Sequence, residues 1–353
     1  MRHLILITTL SICLLHLSCE KEESSIYLSI ENSKTRNNIK KELSPASIGI
    51  VGDPDDVISE TSGGTLLMGG GPDVDEAISW MINKSGGGDI VVLRANGTDA
   101  YNQYIFNLGK VNSVETLLIN SKTMANNELV ESTIRNAEAV FIAGGDQNNY
   151  VSYWKDTKVE DALNYLRNEK KVVIGGTSAG CVIQGGIYFD AEKGTITSQT
   201  ALKNPYDSYL TLQKHNFIKN PFLNNVITDT HYNDPDRRGR HITFLARIYQ
   251  DWDIYGKGIG IDEETAVCID EKGKATIFGN GYAFFLKQHT SGPERCKPNK
   301  SLDWYRDRRA IKAYKISGNE NGYNHFWLDN WIDGSGGYWK FYYVDRGILN
   351  VAY

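Results

Sequence analysis

The sequence predicts an α/β fold in which a parallel sheet is covered by helices on both faces, with a β-rich extension at the C-terminal end. Two observations carry that prediction. From Thr65 onward, short β-branched runs alternate with segments of helical apolar spacing, and runs such as Val172-Val173-Ile174 are apolar on both faces, as buried parallel strands are. Several of the runs also end in glycine-rich turns, and open parallel sheets bind ligands beyond the carboxyl ends of their strands.

Leu66 to Met68 is the first strand and leads into Gly69-Gly70-Gly71, with Asp73 as the predicted cap of a helix over Val74 to Lys84. Ile90 to Leu93 is the next strand, followed by a helix over Tyr101 to Val111. Val114 to Ile119 and Asn126 to Ala137 form another strand–helix pair. Ala139 to Ala143 is a fourth strand and ends in Gly144-Gly145-Asp146-Gln147; a helix over Val159 to Lys170 then delivers the chain to the strand at Val172. Residues 187–223 read as loop, with Tyr206, Tyr209 and Phe217 available to shape a cleft. Asn225 to Thr228 resumes a strand, a helix runs from about Arg237 to Trp252, and Ile259 to Val267 reads as one further strand. Residues 265–289 read as antiparallel hairpin structure around the turn at Asp270 to Lys274. From Gly292 to Tyr353 the chain is aromatic-rich, with Trp304, Trp327, Trp331 and Trp339, and is expected to pack as strands on the sheet edge.

The stretch with the most chemistry is Gly176-Thr177-Ser178-Ala179-Gly180, set between a buried strand and the helix start Cys181-Val182-Ile183. In that context a serine sits on a strained turn, so residues without bulky side chains must flank it. The turn lifts the hydroxyl above the sheet edge and aims the next N–H, that of Ala179, at a developing oxyanion. A phosphate-holding turn is the bland alternative, but no Lys follows the glycines and Gly-x-Gly-x-x-Gly does not occur.

A serine nucleophile needs a base, and the base an orienting acid. Five histidines lie beyond residue 16: His215, His231, His241, His289 and His325. His231 follows a strand, which sets it at the same carboxyl edge as Ser178. The acid is open among Asp229, Asp262, Glu263 and Glu264; continuous strand alternation would put Asp262 and Glu264 on one face and Glu263 on the other. Asp229, His231, Asp234 and Asp236 resemble a metal set only loosely, since Pro235 interrupts them, and neither metal nor cofactor is expected. Arg237, Arg238 and Arg240 stand at a helix start, where the dipole disfavours cations, which points either to a ligand carboxylate or to pairing with Asp234 and Asp236.

The 353 residues carry a formal net charge of −5, which disfavours nucleic acid as a partner. Met1-Arg2-His3, an apolar run from Leu4 to Leu17 and Ser18-Cys19 read as a secretory signal too short to span a membrane. The leader resembles that of bacterial lipoproteins, with Cys19 as the lipidated residue and His16 where the usual motif has leucine. That implies a lipid-anchored protein of the bacterial cell envelope, periplasmic or surface-facing, or a secreted one if the motif is not used. Residues 1–18 are then the signal and 19–44, rich in Glu, Lys, Ser and Asn, a polar tether. Cys181, Cys268 and Cys296 remain; Cys181 reads as a small buried residue, and a Cys268–Cys296 disulfide suits an oxidising compartment.

Taken together, Phe141-Ile-Ala-Gly-Gly-Asp-Gln147, Gly176-Thr-Ser-Ala-Gly180, Asp229-x-His231 with its downstream arginines and Gly260-Ile-Asp-Glu-x-Thr-Ala266 resemble the S51 peptidase family, the cyanophycinases and related aspartyl dipeptidases. The resemblance implies a flavodoxin-like catalytic domain over residues 45–290, akin to class I glutamine amidotransferases with serine in place of cysteine, and an extension over 291–353. It implies Ser178 as nucleophile, His231 as base and Glu263 as acid. Oxyanion donors at Ala179 and Gly145 follow, with a substrate pocket involving Asp146, Gln147, Asp229, Arg237 and Arg240. Thr230 and Pro235 replace a glutamine and an arginine of the cyanophycinase pattern, positions that help recognise a β-aspartyl-arginine unit. The expected partner is a small acidic peptide or isopeptide, and these departures support the triad better than cyanophycin as the substrate, whose cleavage the sequence leaves open, as it does a homodimer. A ligand-binding lipoprotein that keeps the scaffold without catalysis is the alternative. An α/β-hydrolase esterase fits less well, because that fold orders serine, acid, histidine.

Overall fold

Strands with apolar side chains on both faces need cover on both, and the computed structural model, which describes residues 43–353, supplies it from helices on one sheet and from a second sheet. The leader, Cys19 and the tether up to residue 42 lie outside the described residues.

The strands are β1 (Ser47–Gly52), β2 (Gly64–Met68), β3 (Asp89–Arg94), β4 (Ser113–Leu118), β5 (Ala139–Ile142), β6 (Val173–Thr177), β7 (Ile187–Phe189), β8 (Leu212–Lys214) and β9 (Val226–Asp229). They continue with β10 (Lys257–Ile261), β11 (Thr265–Ile269), β12 (Lys274–Gly279), β13 (Tyr282–Gln288), β14 (Ile311–Ser317), β15 (His325–Trp327), β16 (Gly334–Ser335), β17 (Gly337–Asp345) and β18 (Ile348–Ala352). The α-helices are α1 (Asp75–Lys84), α2 (Ala100–Leu108), α3 (Lys122–Ala125), α4 (Glu128–Asn136), α5 (Gln147–Trp154), α6 (Lys158–Tyr165), α7 (Ala179–Val182), α8 (Ser198–Lys203) and α9 (Arg238–Trp252).

The first sheet has the order β1-β4-β3-β5-β6-β2-β11-β12-β15-β16, with its five central strands from β4 to β2 parallel. Alternate residues of those strands enter separate cores. Val91, Leu93, Val140, Ile142 and Ile174 pack under α4, α5 and α6, whereas Ile90, Val92, Phe141 and Val173 pack under α1 and α2. This is the flavodoxin-like arrangement, a parallel sheet with helices on both faces. The second sheet, β18-β17-β14-β13-β10-β9-β7-β8, keeps only β10, β9 and β7 parallel. One of its faces packs Ile259, Ile261 and Phe285 against Leu67, Val267 and Ile277 of the first sheet, and the other is covered by Ile242, Phe244 and Leu245 of α9.

Several local expectations are corrected. Asp73 does not cap α1: its carboxylate accepts from the Tyr101 hydroxyl at 3.2 Å, and Val74 holds the cap position. Residues 187–223 contain β7, α8 and β8, elements too short to register as periodic. Ile259 to Val267 is two strands: β10 belongs to the second sheet and β11 to the first, and the chain crosses between sheets at residues 262–264. The C-terminal extension is β-rich as expected, but it contributes to both sheets, with β15 and β16 ending the first and β14, β17 and β18 the second. Phe326 on β15 stacks on Phe285 of β13 with ring centroids 4.2 Å apart, which ties the two sheets together through that extension. Cys268 and Cys296 are free and buried in different cores, so no disulfide joins them.

His241 anchors α9 to the second sheet. Its Nε2 lies 3.2 Å from the Ile227 carbonyl oxygen and its Nδ1 3.2 Å from the Tyr232 hydroxyl, a pattern that suits a neutral ring donating through Nε2. Gly258 makes room for it, since a Cβ there would stand 2.6 Å from Nε2. Burial lowers the imidazole from 6.5 to about 4, with Arg240 adding to that shift and Asp229 opposing it. Between those values the unfolded chain binds a proton that the folded chain does not, so stability is complete above pH 6.5 and declines as pH falls towards 4. At about 1.4 kcal/mol per unit the loss is on the order of 3 kcal/mol. Denaturant unfolding at stepped pH is expected to show this slope, and His241→Gln is expected to flatten it.

Candidate active site

The site forms where the end of β2 meets the ends of β6, β9 and β10. After β6 the chain turns at Ser178, whose φ of 52° and ψ of −117° are the strained elbow conformation, and α7 starts at Ala179. The flanking glycines are required by contact. A Cβ on Gly176 would stand 2.4 Å from the Gly180 carbonyl oxygen, and one on Gly180 would stand 2.2 Å from that of Ile142. Cys181 is buried just beyond, and burial drives its thiol far above the ordinary range, so it does not ionise near neutral pH.

Ser178 Oγ lies 2.8 Å from His231 Nε2, and His231 Nδ1 lies 2.5 Å from Glu263 Oε1. The other acids occupy different positions. Asp262 Oδ2 accepts from the Tyr282 N–H at 3.1 Å, and burial raises its carboxyl to about 6. Glu264 is exposed with φ of 51°, and Asp229 faces away from the imidazole into a buried pair with Arg240. Strand alternation misassigned these faces because residues 262–264 are a crossover rather than strand.

The backbone that holds this arrangement is Met68-Gly69-Gly70. Ser178 N–H donates to the Met68 carbonyl at 3.0 Å, His231 N–H to Gly69 at 2.8 Å and Glu264 N–H to Gly70 at 3.1 Å. The glycines themselves leave room for the side chains. A Cβ on Gly70, at φ of 92°, would lie 2.5 Å from the His231 ring, and one on Gly71 would lie 3.0 Å from Glu263 Cβ. Sequence reasoning assigned no role to Gly69, Gly70 and Gly71; the signal was three glycines at the carboxyl end of the first predicted strand. Asn233 is a further addition, its Oδ1 accepting the Glu263 N–H at 3.1 Å.

A cleft of about 310 Å³ opens beside Ser178. Gly145 and Ala179 line it, and Ala179, as the first residue of α7, has an N–H with no intrahelical acceptor. Asp146 and Gln147 also line it, but Asp146 serves as the cap of α5, accepting from Asn148 N–H at 2.9 Å. Gln147 Nε2 reaches the Phe189 carbonyl at 3.5 Å. The far wall is Ala191, Gly194 and Thr195, from the segment read as loop. The aromatics singled out there sit elsewhere: Tyr206 stacks on Arg247, Phe217 is buried against Tyr188, and Tyr209 is half exposed outside the cleft lining.

The three arginines have three fates. Arg238 pairs with exposed Asp236 at 2.5 Å. Arg240 is buried and binds both oxygens of Asp229, at 2.9 and 2.5 Å, so Asp229 positions Arg240 and is not part of the cleft wall. Arg237 lines the cleft, donates only to the Thr230 carbonyl at 3.0 Å, and among the described residues has no carboxylate at ion-pairing distance. Burial and the neighbouring Arg240 both lower its pKa, so an anion in the cleft would relieve it. Among the described residues no group of three or more His, Cys, Asp or Glu side chains is arranged to hold a metal ion.

A parallel α/β sheet, a strained serine elbow and a serine–histidine–glutamate relay define a scaffold of the nucleophile-elbow class. The chain belongs to peptidase family S51, whose family model matches residues 92–277. It is 26% identical over 205 residues to a cyanophycinase of Nostoc sp. (strain PCC 7120 / SAG 25.82 / UTEX 2576), covering 57% of this chain and 63% of that one. It is also 26% identical over 171 residues to a cyanophycinase of Thermosynechococcus vestitus (strain NIES-2133 / IAM M-273 / BP-1), covering 48% of each. The chain thus spans about half to three fifths of the length of the curated relatives it matches. Among solved structures, a peptidase from an acI-B1 Actinobacterium is similar at 15% identity and a TM-score of 0.48, covering 64% of this chain and 91% of that one.

The buried Asp229–Arg240 pair yields a stability test. Burial pushes the Asp229 carboxyl up, but Arg240 outweighs it, and the net pKa lies below the ordinary 3.8. The stabilisation is therefore complete above pH 3.8 and is lost only as pH falls through the depressed value. Asp229→Asn, which leaves Arg240 buried without its countercharge, is expected to lower the unfolding free energy at pH 7 by about 3–5 kcal/mol in urea titrations.

Proposed function

We propose that the chain is a serine peptidase that hydrolyses small peptides or isopeptides with an acidic residue at the scissile bond. The observation that carries this reading is the unbroken relay from Ser178 Oγ through His231 to Glu263, at 2.8 and 2.5 Å. His231 Nε2 takes the hydroxyl proton as Oγ attacks the carbonyl carbon, and Glu263 holds the imidazolium that forms. The tetrahedral oxyanion is met by the N–H groups of Ala179 and Gly145, and losing one such donor typically lowers the rate about 10²–10³-fold. His231 returns the proton to the leaving amine, and a water activated by the same imidazole then hydrolyses the acyl-enzyme, regenerating Ser178. Arg237, unpaired by carboxylate on the cleft wall, supports the acidic preference.

Ser178→Ala is expected to abolish hydrolysis and fluorophosphonate labelling while leaving the melting temperature nearly unchanged. In a competition of β-aspartyl, α-aspartyl and γ-glutamyl dipeptides against their uncharged counterparts, the acidic ones are expected to win, and Arg237→Gln to erase the advantage mainly through KM. Hydrolysis by the Ser178 variant would sink the mechanism; no acidic preference would sink the specificity.

We also propose that the protein is held at the bacterial cell envelope through lipid on Cys19. None of the helices among the described residues is long and apolar enough to cross a membrane. Lipidation is supported by the leader sequence, in which Cys19 follows a short apolar run. Cys19→Ala is expected to move the protein from the membrane fraction to the soluble one, whereas an unchanged distribution would contradict the anchor.

A further inference from the structure

A second cavity, of about 290 Å³, lies at the edge of the first sheet opposite Ser178. Its walls include the starts of β2, at Gly64 and Thr65, and the residues just before β6, whereas Ser178 follows the other end of β6. Arg167 forms part of it and is only 7% exposed. The guanidinium is fixed by three neutral acceptors: the Gly64 carbonyl at 2.8 Å, Thr65 Oγ1 at 2.5 Å and Gln184 Oε1 at 3.0 Å. Among the described residues its Nε has no acceptor and no carboxylate lies at ion-pairing distance from it.

A buried charge without a countercharge costs several kcal/mol, and such groups are normally paired or bind something. Here burial pulls Arg167 down to about 9, so it remains a cation at neutral pH. Lys171 joins it on the cavity wall, its ammonium donating only to the Asn168 carbonyl at 2.6 Å. On the same cavity stand two carboxylates, Asp270 and Glu271. They accept only from backbone N–H groups: Asp270 from Lys272 and Lys274, Glu271 from Gly63 at 3.0 Å. Two cations and two anions thus line one cavity without forming an ion pair with each other. Pro221 and Phe222 supply the apolar part of the wall.

We propose that this cavity is a binding site for a zwitterionic amino acid, with its carboxylate towards Arg167 and Lys171, its ammonium towards Asp270 and Glu271, and an apolar side chain against Phe222. Held-apart charges of both signs match a ligand that carries both, and a simple anion would leave the two carboxylates facing it. The guanidinium, held by its three acceptors with Nε sealed from the surface, acts on a carboxylate as a fixed positive charge in the wall, while the mobile Lys171 ammonium supplies the direct contact. The site does not depend on the hydrolytic reading of Ser178, and its test stands whichever way that reading falls.

The test is calorimetric titration of the full chain with L-leucine, set beside 4-methylpentanoate, which lacks the ammonium, and 3-methylbutylamine, which lacks the carboxylate. Leucine is expected to bind at one site, and each analogue at least tenfold more weakly. Lys171→Gln and Glu271→Gln, both at exposed rim positions that leave Arg167 and the fold in place, are each expected to weaken leucine at least fivefold, while Arg237→Gln leaves it unchanged. No leucine binding, equal binding of 4-methylpentanoate, or binding indifferent to both rim variants would overturn the proposal. So would loss of binding in Arg237→Gln, since leucine would then be occupying the cleft beside Ser178.

Discussion

Three consecutive carbonyls at the end of β2 determine where Ser178, His231 and Glu263 stand. Met68, Gly69 and Gly70 accept the N–H groups of Ser178, His231 and Glu264 in turn. Those three donors share an unusual conformation, with φ of 52°, 47° and 51°. A non-glycine residue held at positive φ costs on the order of 1–3 kcal/mol and persists only where surrounding structure over-determines it. Here the over-determination is visible: each strained residue is tied by its own N–H to the last residue of β2 or to the glycine turn that follows it, and β2 lies in the middle of the larger sheet. Other positive-φ residues lie elsewhere along the chain, but these three meet at one strand end. The result is that the hydroxyl, imidazole and neighbouring carboxylate are aimed by backbone hydrogen bonds as well as by side-chain packing.

The same strand end explains why two sheets are needed. Ser178 follows β6 in the first sheet, while His231 follows β9 and Glu263 follows β10 in the second. Neither sheet alone carries the whole relay. The chain brings them together by crossing from β10 to β11 within residues 262–264, so that β11 pairs with β2 directly beside the glycine turn. A Cβ on Gly69 would stand 1.9 Å from the Asp262 carbonyl oxygen, which shows how closely that crossover passes over the end of β2. Thr228 adds a second tie, its hydroxyl donating to the Cys181 and Val182 carbonyls of α7 at 3.3 and 3.2 Å and locking β9 to the elbow helix. The C-terminal extension then fixes the two sheets against each other through Phe285, Phe326 and Trp331.

Much of this was legible in the chain, and what was not has identifiable physical causes. The central strands β3, β5 and β6 were readable because their runs are apolar on both faces, and the elbow because its small flanking residues are a steric necessity. The helix expected over Asn126 to Ala137 runs from Glu128 to Asn136, and Asn127 caps it by accepting from Leu129 N–H. Elements of three or four residues, such as β7 and β8, are too short for periodicity to register. Ile259 to Val267 looked continuous because its two halves are equally apolar, and nothing local announces that they join different sheets. The choice of Glu263 over Asp262 and Glu264 rested on resemblance, since a side chain's direction in a crossover follows no period. Gly69, Gly70 and Gly71 stood in plain view, but their role depends on His231 and Glu263, some 160 to 190 residues away, and only tertiary structure supplies that.

Charge is managed on the same logic of position. Three arginines open α9, where the helix dipole offers them nothing, and each is resolved by what surrounds it. Arg238 meets Asp236 in solvent, where such a pair contributes little. Arg240 meets Asp229 in the interior, where the two-point geometry offsets desolvation and leaves the pair strongly interdependent. Arg237 meets only a carbonyl, with Arg240 close enough to depress its pKa further. The pairing of Arg240 by Asp229 therefore does two things. It occupies both oxygens of the nearby acid, and it fixes Arg240, whose charge lowers the pKa of Arg237. A cleft built in this way keeps one guanidinium, that of Arg237, on the wall beside Ser178 with no carboxylate at ion-pairing distance among the described residues.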